Sequence, residues 1–218
     1  MKYIDIHTHT YYKHDDVIIL QNVFPTQGDQ LGKDSYYSVG LHPWYIENSN
    51  LEEDIQWISE NSLRKDVIAI GETGLDKAIS CPWDKQLDVF QKQIKIAEEA
   101  RKPVILHCVR SYSEILEYRK RSDQSIPWIF HWFSASLQTA EQLTRKNCYL
   151  SFGHMLFNDK SKSFSSFLSL HPSHIFFETD DAGYNIFEVY ERAAQIKKVS
   201  MEELGSIIYS NFTHCFNL

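Results

Sequence analysis

The chain of 218 residues lacks the features of a membrane or exported protein. It contains no run approaching the ~20 consecutive apolar residues that a membrane-spanning helix needs. No basic-then-apolar leader opens it either, because residues 1–6 run directly into a strand pattern. These two absences predict a cytoplasmic protein that makes no contact with membranes.

Cysteine and positive charge are both scarce. Cys81, Cys108, Cys148 and Cys215 are widely spaced and form no C-x-x-C pair, which fits reduced thiols better than a disulfide framework. The 22 Lys and Arg residues oppose 29 Asp and Glu residues, which gives a net charge of −7. This balance argues against a protein that coats duplex nucleic acid with a basic face, although bound cations can reverse the field locally.

Glycine-rich phosphate motifs and flexible linkers are absent as well. No G-x-G-x-x-G or Walker A segment occurs, which disfavours an open nucleotide-binding sheet. Because no Pro/Gly/Ser-rich linker interrupts the chain, residues 1–218 are predicted to form a single domain. Its length lies near the lower end of the ~200–250 residues of most (β/α)₈ barrels.

Short apolar runs and helical patterns alternate along the chain. The apolar runs, typical of buried parallel strands, are Lys2–His7, Val17–Val23, Tyr36–Leu41, Val67–Gly71, Pro103–His107, Trp128–His131, Cys148–Phe152 and His174–Glu178. The segments with apolar spacing near 3.6 are Leu51–Leu63, Asp84–Arg101, Ser111–Lys120, Ser136–Arg145, Ser161–Leu170, Phe187–Lys197 and Met201–Phe216. This alternation favours an α/β fold of the TIM-barrel type, although an open doubly wound sheet uses the same elements.

The predicted barrel is trimmed of helices around strands 1–3. Only residues 10–16 separate the first two strands, and only residues 24–35 separate the next two. A helical crossover needs at least ~10–12 residues, so the helices there are expected to be absent or vestigial. Strand Val17–Leu20 then needs cover, which we expect from helix Met201–Phe216 in a monomer or from a homodimer contact.

Histidines and carboxylates stand at the ends of the predicted strands. His7 and His9 close the first strand, and residues i and i+2 of a strand point to one face, so both imidazoles can bind one metal. Later strand ends supply Glu72, His107, His131 and Asp180. Singly, each has an ordinary structural explanation, such as a helix N-cap for Asp180. Because active sites of barrels lie at the carboxyl ends of the strands, the set together predicts a metal site.

Short motifs occur in a fixed order across nearly the whole chain. They are Asp5-Ile6-His7-Thr8-His9, Gly40-Leu41-His42-Pro43, Gly71-Glu72-Thr73-Gly74-Leu75-Asp76, Leu106-His107-Cys108-Val109-Arg110, His131-Trp132-Phe133-Ser134, Glu178-Thr179-Asp180 and Asn211-Phe212. Together they resemble the motifs of the TatD-type metal-dependent deoxyribonucleases, a family within the amidohydrolase-like barrels. The resemblance implies a hydrolase that cleaves phosphodiester bonds of DNA with two divalent metal ions.

The resemblance also implies a role for each motif residue. It assigns the first metal to His7, His9 and Asp180, and the second to His107 and His131, with Glu72 as the bridge. Asp180 and Glu72 are the expected catalytic residues, with Asp180 orienting a water molecule and taking its proton. Three further residues are candidates for substrate binding: Arg110, which could hold a phosphate by a bidentate hydrogen bond, His42 and His154.

Departures from the family pattern leave the substrate and the metal open. Asp181-Ala182-Gly183 follows the E-T-D motif where the family often has A-P, and His154 stands where a glycine is common. Histidine-rich ligands favour Zn, Mn, Fe or Ni over Mg. The family is usually associated with Mg or Mn, so the expected cofactor is a pair of divalent ions, Mg, Mn or Zn.

Two other functions stay open. An amidohydrolase or lactonase that cleaves a C–N or ester bond would share the H-x-H motif and the late Asp. Such enzymes often use a carboxylated lysine where Glu72 stands, whereas Lys65 and Lys77 fall outside that predicted strand. A non-catalytic, metal-stabilised binding protein is the second alternative. The complete ligand set favours an enzyme whose partner is DNA or a small phosphodiester.

Overall fold

The computed structural model describes residues 2–32 and 35–218. The strands are β1 (Tyr3–Thr8), β2 (Val17–Val23), β3 (Tyr36–Val39), β4 (Val67–Asp76), β5 (Val104–Val109), β6 (Trp128–Phe130), β7 (Cys148–Phe152) and β8 (Ile175–Phe177). The α-helices are α1 (Leu51–Asn61), α2 (Trp83–Ala100), α3 (Tyr112–Arg121), α4 (Leu137–Thr144), α5 (Lys162–Ser169), α6 (Ile186–Lys197) and α7 (Met201–Phe216). Every predicted strand and helix is therefore present. Among these helices, none is long and apolar enough to cross a membrane.

Strand β4 is the element that differs most from its prediction. It runs to Asp76 instead of ending at Gly71, and all ten of its residues are buried. The extension pairs with β5 in parallel, with Gly74 opposite His107 and Asp76 opposite Val109. The glycines break the apolar pattern in the sequence, but pairing with β5 continues the strand.

Among the described residues, the two connections predicted to lack a full helix contain no α-helix. Residues 9–16 contain no helix, and the connection from β2 to β3 contains one 3₁₀ helix, Pro25–Gln30. Residues 33 and 34 of that connection lie outside the described residues. Val17, Ile19 and Leu20 of β2 are buried. Helix α7 packs against β1 and β8, and its expected cover of β2 stays a prediction, as does the dimer contact.

The described residues divide into two compact units. We call residues 1–21 and 131–218 the terminal unit, and residues 22–130 the central unit. In the terminal unit β1 pairs with β2 and β7 pairs with β8, all in parallel, and Thr8 forms an isolated parallel bridge with Asp180. In the central unit β3, β4, β5 and β6 pair in that order, again in parallel. That the chain forms one domain stays a prediction.

Aromatic rings fill the core of the terminal unit. Phe167 lies between Phe152 and Phe177, with ring centroids 5.2 and 5.8 Å apart. Tyr190 of α6 packs on Phe177 at 4.7 Å. Its hydroxyl accepts a hydrogen bond from the Ile4 amide at 3.1 Å and donates to the Ile4 carbonyl at 3.2 Å. This pair of bonds ties β1 to α6.

Two buried glutamines of α2 organise the central unit. Gln93 accepts from the Leu41 amide at 2.8 Å and donates to the Leu41 carbonyl at 3.0 Å and to Thr73 Oγ1 at 2.7 Å. Gln86 bonds the amide and carbonyl of Asp76 in the same way, at 2.9 and 3.0 Å. A buried amide left unsatisfied would cost ~1–3 kcal/mol, so these bonds hold the segments after β3 and along β4 in place.

Candidate metal centre

A first group of potential metal ligands lies in the terminal unit. His7, His131 and Asp180 each offer a donor atom, and these atoms lie within 4.8 Å of one another. Asp180 Oδ1 is 3.6 Å from His7 Nε2 and 3.2 Å from His9 Nε2. The rings of His7 and His131 are 4.5 Å apart. We call His7, His9, His131 and Asp180 the terminal cluster, of which only His9 is not buried.

The backbone of Asp180 is held in the left-handed region, with φ of +53°. Its amide donates to the His7 carbonyl at 2.9 Å, and its carbonyl accepts from the His9 amide at 3.3 Å and from Thr8 Oγ1 at 3.2 Å. Such a conformation costs a non-glycine residue ~1–3 kcal/mol and persists where surrounding bonds impose it. The N-cap of α6 is Asn185, so the alternative explanation of Asp180 as that cap is wrong.

Asp5 is a buried carboxylate that binds Thr179, the residue before Asp180. Its carboxylate accepts hydrogen bonds from the Thr179 amide at 3.0 Å, from Thr179 Oγ1 at 2.7 Å and from the Tyr12 hydroxyl at 2.7 Å. Burial raises the pKa of Asp5 to about 6, although these hydrogen bonds act in the opposite direction. The bonds join β1 to the residue that precedes Asp180, so they position His7 and Asp180 together.

Glu178 lies behind the imidazole of His131. Its Oε2 is 3.9 Å from His131 Nδ1, and its Oε1 accepts from the Trp132 amide at 2.5 Å. Burial raises the pKa of Glu178 to about 7, and the charge of His131 counteracts part of this. At 3.9 Å the carboxylate and the imidazole are too far apart for a hydrogen bond, so Glu178 places a carboxyl group near His131 while its hydrogen bond holds the Trp132 amide.

Asp180 itself is an ionised carboxylate. Burial raises its pKa, but the hydrogen bond with His9 and the charges of His7 and His131 outweigh burial, so the pKa of Asp180 lies below its ordinary value. Imidazoles and an ionised carboxylate are typical ligands of divalent metals.

A second group of potential ligands lies in the central unit. His42, Glu72 and His107 offer donor atoms within 4.8 Å of one another. Glu72 Oε1 is 3.2 Å from His42 Nε2 and 3.0 Å from His107 Nδ1, and His107 Nε2 is 3.1 Å from Asp76 Oδ2. We call His42, Glu72, Asp76 and His107 the central cluster. None of the four is more than 8% exposed.

Trp44 connects two members of the central cluster. Its indole Nε1 donates to Asp76 Oδ2 at 2.9 Å, and its amide donates to His42 Nδ1 at 3.1 Å. Because Nδ1 of His42 accepts the Trp44 amide, the neutral ring carries its proton on Nε2, which donates to Glu72 Oε1 at 3.2 Å. Burial raises the pKa of Asp76, but its hydrogen bonds with His107 and Trp44 outweigh burial and lower that pKa to about 2.

A glycine allows β4 and β5 to approach closely beside this cluster. A Cβ atom on Gly74 would lie 1.9 Å from the carbonyl oxygen of His107, and the φ of Gly74 is +154°. No other residue tolerates both conditions. Gly74 therefore sets the spacing between the strand that carries Glu72 and the strand that carries His107.

Within the terminal unit the predicted ligands His7, His9, His131 and Asp180 lie together. Within the central unit Glu72 and His107 lie together. The Nε2 atom of His42, a residue expected to bind substrate, is 3.2 Å from Glu72 Oε1. Arg110 follows β5, is exposed and has φ of +54°. The ring of His154 lies 4.7 Å from that of Trp132. That Arg110, His42 and His154 bind substrate stays a prediction.

Three residues around these clusters were not predicted. Asp76 and Glu178 belong to motifs quoted for the resemblance, and their signal was a carboxylate at a strand end. For Trp44 the only signal in the sequence was its position directly after His42-Pro43. Each acts through a contact with a residue distant in sequence or through main-chain geometry, which a local pattern does not contain.

Both clusters fit a divalent cation. Each combines two or more imidazoles with one or more carboxylates, the donor set that Zn, Mn, Fe and Ni prefer. Burying so many polar groups is costly unless they are paired or bind a metal. The Asp180 carboxylate is held ionised, as a metal ligand must be.

Comparisons with known proteins agree with this chemistry. Residues 26–217 match the family described as TatD related DNase. YabD of Bacillus subtilis, an uncharacterized metal-dependent hydrolase, is 29% identical over 205 residues, covering 84% of this chain and 78% of that protein.

Two solved structures show the fold. The crystal structure of YjjV, a TatD homologue from Escherichia coli, has a TM-score of 0.85 and 20% identity, covering 99% of this chain and 98% of that one. A TatD family hydrolase from Entamoeba histolytica has a TM-score of 0.79 and 14% identity, covering 99% and 98%. The predicted α/β fold of the TIM-barrel type is therefore confirmed. From its ligand clusters and the match over residues 26–217, the chain belongs to the TatD family of metal-dependent hydrolases.

Proposed function

We propose that this chain hydrolyses phosphodiester bonds of DNA with two divalent cations, one held by each cluster. The observation that carries the proposal is the pair of ligand groups, each with three donor atoms within 4.8 Å. The family description, TatD related DNase, supports the choice of bond.

The ligands of each cation follow from the two clusters. His7, His9, His131 and Asp180 would hold one cation, and Glu72 and His107 the other, with His42 hydrogen-bonded to Glu72. Bound there, divalent cations supply positive charge to a phosphate and lower the pKa of a bound water. The histidine content favours Mn or Zn over Mg.

The protein side chains have separate tasks. Asp180 is ionised at neutral pH, so it can accept a proton from the attacking water. Glu178 holds the Trp132 amide next to His131, and Asp76 keeps the His107 ring in place through its contact with Nε2. In the wild-type protein these contacts would keep the ligands fixed during turnover.

The alternative of an amidohydrolase has weaker support. Those enzymes often have a carboxylated lysine where Glu72 stands. Of the two nearby lysines, Lys77 forms an ion pair with Glu114. Glu72 instead provides a carboxylate oxygen to His42 and His107, which favours the nuclease.

The experiment combines metal content with a substrate panel. Metal-free protein is reconstituted with Mn, Zn or Mg and assayed on bis-p-nitrophenyl phosphate, a short DNA oligonucleotide, a dipeptide and a lactone. We expect the two phosphodiesters to be cleaved, the other two substrates to be inert, and chelator to abolish the reaction.

Single-cluster variants test the assignment of the cations. We expect about two metal ions per chain in the wild type and about one in His131→Ala or His107→Ala, with rates lowered by ~10²–10⁴ as for loss of a catalytic group. His214→Ala, at an exposed position of α7, is the control. Full metal content in both variants would refute the two-site assignment, and cleavage of only the dipeptide or the lactone would refute the phosphodiesterase.

A further inference from the structure

Aromatic side chains from three segments meet beside the terminal cluster. Trp132 directly follows the ligand His131, His154 and Phe157 belong to the 3₁₀ helix His154–Phe157 after β7, and Tyr184 lies between β8 and α6. We call Trp132, His154, Phe157 and Tyr184 the aromatic shelf. Of these four residues only His154 was a candidate for substrate binding in the sequence; Trp132, Phe157 and Tyr184 were given no role.

Three of the four rings of the shelf, those of His154, Phe157 and Tyr184, are nearly parallel. Residues i and i+3 of a 3₁₀ helix lie on one side, so His154 and Phe157 face the same way. The ring of Tyr184 lies 4.4 Å from that of Phe157 at an angle of 7°, and 6.4 Å from that of His154 at 6°. Trp132 meets the His154 ring edge-on, at 4.7 Å and 90°. Trp132 thus braces a set of three aligned rings.

Two of the three aligned rings, those of Phe157 and Tyr184, are exposed to solvent. Phe157 and Tyr184 are each 39% exposed, while Trp132 and His154 are half-buried. Single exposed aromatics are common on protein surfaces. Contiguous exposed apolar area, by contrast, often marks a site where a ligand or partner binds.

Asp180 lines two pockets, and each of them also contains residues of the shelf. Trp132 and His154 line one pocket together with Glu178 and Asp180. Tyr184 lines a second, larger pocket that also includes Asp180 and Asp181. A substrate group that occupies the larger pocket beside Asp180 would therefore lie against the ring of Tyr184.

We propose that the aromatic shelf binds the nucleobase adjacent to the scissile phosphate by stacking. This inference rests on the proposed function. It identifies the nucleobase as the part of the DNA substrate that the terminal unit binds. Aromatic faces stack on any base, so the shelf selects for a base without selecting its identity. The carboxylate of Asp181 in the second pocket disfavours a phosphate as the occupant.

The preference for a substrate that carries a base tests the proposal. The assay compares kcat/KM for a dithymidine phosphodiester with kcat/KM for its abasic analogue, which has the same phosphate. In Tyr184→Leu we expect the ratio of the two values to fall by ~5- to 150-fold, the range measured for loss of one base stack. Tyr184→Phe keeps the ring and should keep the wild-type ratio.

Tyr209→Leu is the matched control, because Tyr209 is also 39% exposed but lies on α7, outside the shelf. Its ratio should equal that of the wild type. Phe157→Leu provides a second variant and should lower the ratio in the same direction. An unchanged ratio in Tyr184→Leu and Phe157→Leu would overturn the shelf proposal.

A binding measurement separates this proposal from the proposed function. Calorimetry compares deoxyadenosine monophosphate with deoxyribose 5-phosphate, in wild type and in Tyr184→Leu. We expect the wild type to bind the nucleotide more tightly, and this preference to shrink in the variant. If that pattern holds while no phosphodiester is cleaved, the nuclease proposal fails and the shelf stands. If DNA is cleaved but the nucleotide shows no preference, the shelf proposal fails alone.

Discussion

Replacing Gly74 with alanine would test the close approach of β4 and β5. The new methyl group would lie 1.9 Å from the His107 carbonyl oxygen, well inside van der Waals contact, and the φ of +154° is a conformation that residues with a Cβ avoid. The oxygen belongs to the main chain, so it cannot move away as a flexible side chain would.

Two costs add in this variant. The backbone conformation costs a non-glycine residue ~1–3 kcal/mol, and displacing packed strands costs about the same, ~1–3 kcal/mol. The sum of roughly 2–6 kcal/mol is a large part of the ~5–15 kcal/mol by which proteins of this size are stable. We therefore expect Gly74→Ala to lower the free energy of unfolding by ~4 kcal/mol.

Urea unfolding followed by circular dichroism measures this effect. With an m-value of ~2 kcal/mol/M, the transition midpoint should fall by ~2 M. Gly183→Ala is the control, because a Cβ there has no heavy atom within 4 Å and its φ is not in the left-handed region. That variant should be unchanged or stabilised by ~0.4–1 kcal/mol.

The metal content of Gly74→Ala gives a second measure. His107 would be displaced with its carbonyl, so the central cluster should lose its cation while His7 and Asp180 keep theirs. A midpoint within ~0.25 M of the wild type, a change near the ordinary effect of a surface substitution, would show that the two strands do not approach as closely as the structure has them.

Three further predictions concern stability. Tyr190→Phe should lower the free energy of unfolding by ~1–3 kcal/mol in urea unfolding, because the Ile4 amide loses its buried partner; no loss would contradict the tie between β1 and α6. Removing metal that is present at ~1,000 times its Kd should cost ~4 kcal/mol and lower Tm by roughly 8–16 °C, whereas an unchanged Tm would argue against bound metal. Burial lowers the pKa of Lys197 to about 8, so between pH 8 and its ordinary value of 10.5 the unfolded chain binds a proton that the folded chain does not. The free energy of unfolding of the wild type minus that of Lys197→Met should therefore rise with pH across that window. A difference that falls with pH would contradict this.

The strands and helices were predictable because their signals are local. Helix α7 begins after Ser200, whose hydroxyl accepts from the Glu203 amide, and both of its predicted ends hold. The absence of α-helices from the described residues of the first two connections followed from chain length alone. The end of β4 was not predictable, because its last residues are strand only through their pairing with β5.

The candidate ligands were visible for the same reason. His7 and Asp180 lie near the ends of β1 and β8, whereas Glu72 and His107 lie inside β4 and β5; all four were visible because each follows an apolar run in the sequence. The contact of His42 was not, since it depends on a 3.2 Å distance to Glu72 from another segment. The shelf rings of Tyr184 and Phe157 likewise come from separate loops.

The order of apolar runs, polar strand ends and short connections determined the class of fold and the identity of the donor atoms, since these follow from periodicity and residue chemistry within a few positions. Only the tertiary structure decided which donors share a cluster and which carboxylates stay ionised. It brought His131 to His7, set the pKa of Asp76 to about 2 and that of Glu178 to about 7. The physical reason is that donor spacing and burial depend on how strands pack in space, and residues far apart in the chain set both.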